Sequence, residues 1–223
     1  MIEAGGLFLP FKDFFDKYKD DNILNFGMPS RLEALKYVTE FDAVIDIGAH
    51  VGISVLHWAK VFKKVYAYEP MVDHYECFVK NTAHLDNVEV FNYAISNEDK
   101  MLKGTYRSMK NSGSFQLVTD EWVANKPRKA GTIYDIPSHR LDSLTFSKVN
   151  LLKVDVEGWE FEVLKGAVET IKKHQPVLLI EFTGGNSRKS MRSYDVTEYN
   201  ALIESLGYYA VSSIDDDTIY LPR

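Results

Sequence analysis

The apolar residues of this chain fall into short runs whose period changes in a regular way. "AVIDIGA" (43–49) is a near-continuous apolar run that reads as a strand covered on both faces. "VGISVLHWAKVF" (51–62) has helical spacing, "KVYAYEP" (64–70) reads as a strand, "DHYECFVKNTAHL" (73–85) as a helix and "VEVFNYAIS" (88–96) as a strand. After a break the rhythm returns. "NLLKVDVEG" (150–158) is a strand, "WEFEVLKGAVETIKKH" (159–174) one helix and "PVLLIEF" (176–182) a strand. "SYDVTEYNALIESLG" (193–207) is a helix closed by Gly207. Strands alternating with helices predict right-handed βαβ units and an α/β fold with a mostly parallel sheet. The chain then runs through "YYAVSSI" and "TIYLPR", joined by Asp215, Asp216 and Asp217, which predicts a tight antiparallel hairpin.

Two stretches depart from the alternation. Within 97–145, "MLKGTYR", "GSFQLV" and "AGTIYDIPSHRLDSL" read as short strands and loops with little helix. An insertion of that length inside a compact α/β domain is expected to be functional. Residues 1–40 are expected to form a helical segment packed on the domain that fills 41–223. Its clearest helix is "PSRLEALKYV", with Pro29 and Ser30 at the entry and Glu33 three residues after Ser30.

Composition narrows the class. The 223 residues suit one large domain, and 45% apolar with 26% charged residues is ordinary for a soluble protein. A formal net charge of −6 argues against a constitutive nucleic-acid binder. No run approaches the roughly 18 apolar residues of a membrane span. The stretch "MIEAGGLFLPFKDFF" lacks the basic start and cleavage pattern of a signal peptide. Cys77 is the single cysteine, so no internal disulfide and no cysteine-based zinc site is expected. It is expected to pack inside its helix, and a cytoplasmic setting follows.

"VIDIGAHVGISVLHW" places Asp46, Gly48, Ala49, His50 and Gly52 between a strand and a helix. Glycines let the backbone approach a ligand, and the following helix offers unpaired N–H groups. Glu69 closes the next strand 21 residues after Gly48, where an acid can accept both hydroxyls of a ribose. An adenosine-bearing cofactor is therefore expected. The dinucleotide fingerprint is G-x-G-x-x-G, and here Asp46 stands where its first glycine would be. An acid beside a pyrophosphate would be repelled, whereas S-adenosyl-L-methionine carries an ammonium and a sulfonium and no phosphate. His50 either touches the methionine end or points to water. The adenine wall is expected from Asn92, Tyr93, Ala94 and Ile95 after the third strand. Asn92 either reads a base edge or caps the strand end.

Asp155 and Glu157 are two apart and share a face of an extended strand. Buried, they would cost several kcal/mol each unless paired. Ligands of open α/β sheets bind outside the carboxyl ends of the strands, so both acids are expected to meet the cleft. Glu181 ends the next strand in the equivalent place. The competing reading is that Glu157 serves the entry into its own helix.

"VIDIGAHVG", "AYEP", "HRLDSL", "LLKVDVEGWEFEVLKGA" and "PVLLIEF" together resemble FkbM-type S-adenosylmethionine-dependent methyltransferases, over roughly residues 40 to 210. The most specific part is the stretch from Asp155 to Ala167. The resemblance implies a Rossmann-like class I methyltransferase sheet of seven strands with the last one antiparallel. It also implies O-methylation of a hydroxyl on a sugar, glycan or small metabolite. His50 departs from the family pattern, where asparagine is more usual. The partners expected are a small-molecule or glycan acceptor, with no nucleic acid.

Methyl transfer to a hydroxyl needs alignment and benefits from a base near the operating pH. Asp155, Glu157, Glu181 and His139 are the candidates. Asp155 is also expected against the sulfonium end of the cofactor. Oxygen ligands at Asp155 and Glu181 would suit magnesium, although no metal is counted among the expected cofactors. Asp142 is expected to cap the short "SLTF" turn. The rival classes are a nucleotide-dependent oxidoreductase on a similar sheet, which Asp46 disfavours, and a non-catalytic cofactor-binding domain, which three intact acids disfavour.

Overall fold

The computed structural model describes residues 1–11, 23–125, 131–182 and 195–223. The expected start of the last helix at Ser193, and part of the N-terminal segment, lie outside the described residues. The first elements are strands, β1 (Ile2–Ala4) and β2 (Leu7–Leu9), paired antiparallel around Gly5–Gly6. Helix was expected there. A two-glycine turn between short alternating runs makes a hairpin instead. Asn81 holds the hairpin down: its Oδ1 accepts from the Phe8 N–H at 2.7 Å, and its Nδ2 donates to the Phe8 carbonyl at 3.0 Å. Helix α1 (Met28–Leu35) begins after Gly27, so Ser30 lies within it and donates to the Gly27 carbonyl rather than opening a capping box.

The alternating region follows as β3 (Ala43–Ile47), α2 (Ile53–Trp58), β4 (Lys64–Tyr68), α3 (Val72–Thr82) and β5 (Val88–Phe91). The expected strand 88–96 is split. Its second half, β6 (Ala94–Ile95), leaves for a different sheet. There it joins β7 (Lys100–Tyr106), β8 (Phe115–Val118) and β9 (Tyr134–His139) in the order β6-β9-β7-β8. The expected short strands of the insertion thus form a folded second sheet, which among the described residues carries one short helix, α4 (Asp120–Ala124). Aromatic edges among Tyr106, Phe115 and Tyr134 pack its inner face.

The chain returns with β10 (Leu151–Val154), α5 (Glu160–Lys165), α6 (Val168–His174), β11 (Val177–Glu181), α7 (Val196–Ser205), β12 (Tyr208–Ile214) and β13 (Asp217–Pro222). The main sheet has seven strands in the order β12-β13-β11-β10-β3-β4-β5, and β13 runs antiparallel to both of its neighbours. The seven-stranded α/β sheet and its C-terminal hairpin are as the sequence predicts. Trp58, Phe78 and Ala34 fill one face, and Leu164, Ile171 and Tyr199 the other. Cys77 is buried beneath the N-terminal hairpin, and burial pushes its thiol up to about 11. Among the described residues no helix is long and apolar enough to cross a membrane.

The helix expected over 159–174 is broken at Gly166. A Cβ there would stand 1.9 Å from the Ser96 carbonyl oxygen, so the chain passes directly against the end of β6. Trp159 Nε1–H donates to Ser96 Oγ at 3.0 Å in the same contact. Asp142 does not cap its own turn. It reaches across to α6 and accepts from the N–H groups of Glu169 and Thr170 at 3.1 and 2.8 Å.

Gly166→Ala should therefore destabilise the fold by about 3 kcal/mol, the upper end of ordinary overpacking. Gly113→Ala, whose Cβ would meet only Asn111 Oδ1 at 3.4 Å, should stay within about 0.5 kcal/mol of wild type. Urea denaturation of the two variants checks the contrast.

Candidate functional site

From β3 the main sheet grows through β4 on one side and through β10 on the other. A crevice opens at that reversal, outside the carboxyl ends of the strands. A cavity of about 210 Å³ lies there. Its floor is Ile47 and Gly48 of β3 and its loop, Tyr68 of β4 with Glu69 just after it, and Asp155 and Glu157 after β10. Glu181 of β11, and Tyr93, Ala94 and Ile95 around β6, complete one wall. The inserted sheet roofs it with Ser112, Phe115 and Gln116.

Several expected residues are in place. Gly48 has φ +84°, and a Cβ on it would fall 1.8 Å from the Asp155 carbonyl oxygen. Only glycine lets the β3 loop lie against the end of β10. His50 lines the cavity, and its Nε2 is 2.9 Å from Ser112 Oγ. Removal from water, with His74 and Lys153 nearby, pushes its pKa well below the ordinary histidine value, so the ring is neutral. Glu69 Oε2 accepts from the His50 N–H at 2.9 Å, and Oε1 accepts from the Met71 N–H at 2.8 Å.

Five expected site residues are elsewhere. Asp46 is fully buried and does not line the cavity; Trp58 Nε1–H donates to its Oδ2 at 3.0 Å, and Lys153 Nζ stands 3.3 Å from Oδ1. Its strand is enclosed on both faces, so its side chain meets the core instead of a ligand. Ala49 is likewise packed in the core below the cavity. Gly52 precedes α2, and a Cβ on it would meet Phe78 and Thr82 rather than the cavity. Asn92 takes its capping reading: its Nδ2 donates to the carbonyls of Glu69 and Pro70 at 2.9 and 3.0 Å. His139, at the end of β9, is about half exposed, lies outside the cavity lining and pairs with Asp99 at 3.4 Å.

The three carboxylates do converge. Burial, then Asp155, pushes Glu157 up to about 7, against the pull of Arg107, whose Nη2 is 2.6 Å from Glu157 Oε2. Asp155 first, then burial and Glu157, hold Glu181 well above the usual carboxylate range, so it keeps a proton at neutral pH. Glu157 does not cap its helix; Glu160 Oε1 accepts from the Gly158 N–H at 2.8 Å instead. Among the described residues no group of three or more histidines, cysteines, aspartates or glutamates could hold a metal ion.

Lys153 escapes the sequence reading because it sits in an otherwise apolar strand. It pairs in register with Asp46 and bridges it to Asp155 Oδ2 at 3.1 Å. Burial alone would lower its pKa, but Asp155, Asp46 and Asp217 outweigh it and raise the pKa above the ordinary lysine value. Gln116 also escapes. It is 1% exposed, and neither amide atom has a hydrogen-bond partner among the described residues.

The profile of the methyltransferase FkbM domain matches residues 46–209, most of the chain. The chain belongs to the FkbM methyltransferase family. Members of this family use S-adenosylmethionine. No curated protein matches it in sequence. Its fold is similar to that of the FkbM methyltransferase of Methylobacillus flagellatus KT, with 18% identity, a TM-score of 0.55, and coverage of 81% of this chain and 43% of that one. The chain thus spans less than half the length of the Methylobacillus protein. It is also similar to a SAM-dependent methyltransferase of Aquifex aeolicus, at 16% identity and a TM-score of 0.51, covering 93% and 95% of the two chains. The N-methyltransferase NodS of Bradyrhizobium japonicum WM9 is similar at 11% identity and a TM-score of 0.51, covering 92% and 99%. The residues present fit the family's cofactor. A cavity at the switch point, backed by the Gly48 backbone and one buried acid, is where an adenosine group is held in such sheets.

Lys153→Met in this FkbM-family chain should cost about 3–5 kcal/mol, because Asp46 is left buried without its cation. The raised pKa of Asp46 comes from burial and is opposed by Lys153, so the variant raises it further. A group whose folded pKa is raised stabilises below its unfolded pKa, near 3.9, and loses that contribution as pH rises through the folded value. The deficit of Lys153→Met should therefore shrink as pH falls from neutral towards 5. Denaturation curves across that range check it.

Proposed function

We propose that the chain transfers the methyl group of S-adenosylmethionine to a hydroxyl oxygen on a sugar, glycan or small metabolite, with Glu157 as the base. One observation carries this reading: Asp155, Glu157 and Glu181 meet at one end of the cavity, with Arg107 of the inserted sheet on Glu157. The cofactor supplies an electrophilic methyl group. Glu69 would hold its ribose, and Gly48 and His50 would border its methionine portion. Asp155, braced by Lys153, offers negative charge to a cationic centre.

An alcohol loses its proton as it becomes an ether oxygen. A carboxylate with a pKa near 7 is matched to accepting it, which accounts for the partly ionised Glu157. Glu181 supports that state from beside it, since its protonated carboxyl adds no second charge. A wall of acids suits a neutral polyol better than a polyphosphate, which also speaks against nucleic acid as acceptor. The lone, buried Cys77 fits a cytoplasmic setting.

Purified protein given labelled S-adenosylmethionine and a panel of sugars, glycans and hydroxylated metabolites should label a hydroxyl oxygen, located by mass spectrometry. Label found only on nitrogen would overturn the O-methyl reading. Glu157→Gln should lower kcat by roughly 10²–10⁴-fold with little change in cofactor affinity. The base must be ionised to work, so activity should rise with pH through a limb near 7. Arg107 lowers the Glu157 pKa, so Arg107→Gln should move that limb to higher pH. A pH–rate profile unchanged in Arg107→Gln would take the role of base away from Glu157.

A further inference from the structure

Glu69 is tied to more than its own strand. His74 of α3 places Nδ1 3.3 Å from Glu69 Oε1, and its Nε2 lies 2.9 Å from the Tyr106 hydroxyl. Tyr106 is the last residue of β7, so it belongs to the inserted sheet. All three side chains are buried. An ionised carboxylate only accepts, so His74 Nδ1 must carry the proton. On the far side of the ring, Nε2 is held by the Tyr106 hydroxyl. The three side chains form one hydrogen-bonded chain, Tyr106–His74–Glu69.

The arrangement divides the two carboxylate oxygens. An ionised carboxylate has about four accepting sites. Oε1 accepts from the Met71 N–H and from His74, and Oε2 accepts from the His50 N–H. Among the described residues one site therefore remains, and it is on Oε2. Sequence alone allowed Glu69 to take both ribose hydroxyls, whereas the geometry leaves it room for one.

We infer that Tyr106 and His74 are positioning residues that saturate Glu69 Oε1 and turn Oε2 alone towards the ligand, so that Glu69 accepts from a single ribose hydroxyl. This rests on the reading of Glu69 as the ribose acid. The inserted sheet then has a part in cofactor recognition as well as in roofing the cavity. Arg107, the next residue along, reaches Glu157 on the other side of the cavity.

The test is calorimetry with S-adenosylhomocysteine and its 2′-deoxy and 3′-deoxy counterparts. Wild type should lose roughly 10–100-fold in affinity for one deoxy ligand, the range of a hydrogen bond to a charged group, and little for the other. His74→Leu should weaken S-adenosylhomocysteine binding by about tenfold and flatten the difference between the deoxy ligands. His74→Asn keeps a donor near the Nδ1 position and should restore most of both. Tyr106→Phe should change both in the same direction as His74→Leu, by less. A merely packed histidine would alter thermal stability and leave the deoxy discrimination as it was. Unchanged discrimination in His74→Leu, with Glu69→Ala losing binding, overturns the relay and spares the ribose site. Wild-type affinity in Glu69→Ala overturns the ribose reading itself. If His74→Leu does not fold, Tyr106→Phe decides, and unaltered discrimination there counts against the relay.

Discussion

The ammonium of Lys153, buried between Asp46 and Asp155, is the interaction on which the site depends. It joins the two central strands at the point where the sheet reverses direction. Two of the three charges, Lys153 and Asp46, are enclosed there and would be costly one by one, and a buried pair seldom gains much over apolar packing. What the arrangement supplies is position. Lys153 faces Asp46 across the register and fixes Asp155 one pleat further on, at the lip of the cavity. Trp58 takes the other Asp46 oxygen, so the acid has one orientation. Asp155 thus meets the ligand space from a fixed support instead of from a free loop.

The inserted sheet completes what the core sheet begins. Strand ends alone would leave the acids open to water on one side. β8 and the turn before it roof the cavity, Arg107 reaches Glu157, and Trp159 and Gly166 lock the start of the insertion against α5 and α6. The close passage at Gly166 explains why the insertion leaves the sheet at β6, because the chain is held there before it can extend β5. One region therefore sets both the roof of the cavity and the break in a helix that sequence periodicity presents as continuous.

The sheet was legible because its strands are enclosed on both faces and read as apolar runs bounded by acids and glycines. The acids at the strand ends were legible for the same reason: a carboxylate after a buried strand must have somewhere polar to go. Asp46 lies one residue inside the strand end rather than after it, so its side chain meets Trp58 and Lys153 instead of the cavity. Its partner Lys153 is a single polar residue in an apolar run, and pairing across strands is invisible without the register. His74 and Tyr106 stand 32 residues apart and touch only because the insertion folds back over α3. The N-terminal hairpin was hidden by aromatic and charged residues that mimic helix, although Gly5–Gly6 carried the turn signal. His139 looked poised above the cleft from its place before the acidic strand, but at the end of β9 it stands half exposed, beside Asp99 and against the Tyr93 ring.

The charges around the cavity explain why three carboxylates can share so small a space. Lys153 balances Asp46 and Asp155 from below, and Arg107 reaches Glu157 from above. Glu181 has no cation of its own among these contacts, and it avoids a further charge by keeping its proton. A cationic ligand centre entering beside Asp155 would reduce the repulsion that raises both Glu157 and Glu181. Glu157 would then ionise more fully in the occupied site than in the empty one. In the proposed reading of Glu157 as the base, the base would then gain competence as the positive methyl donor binds.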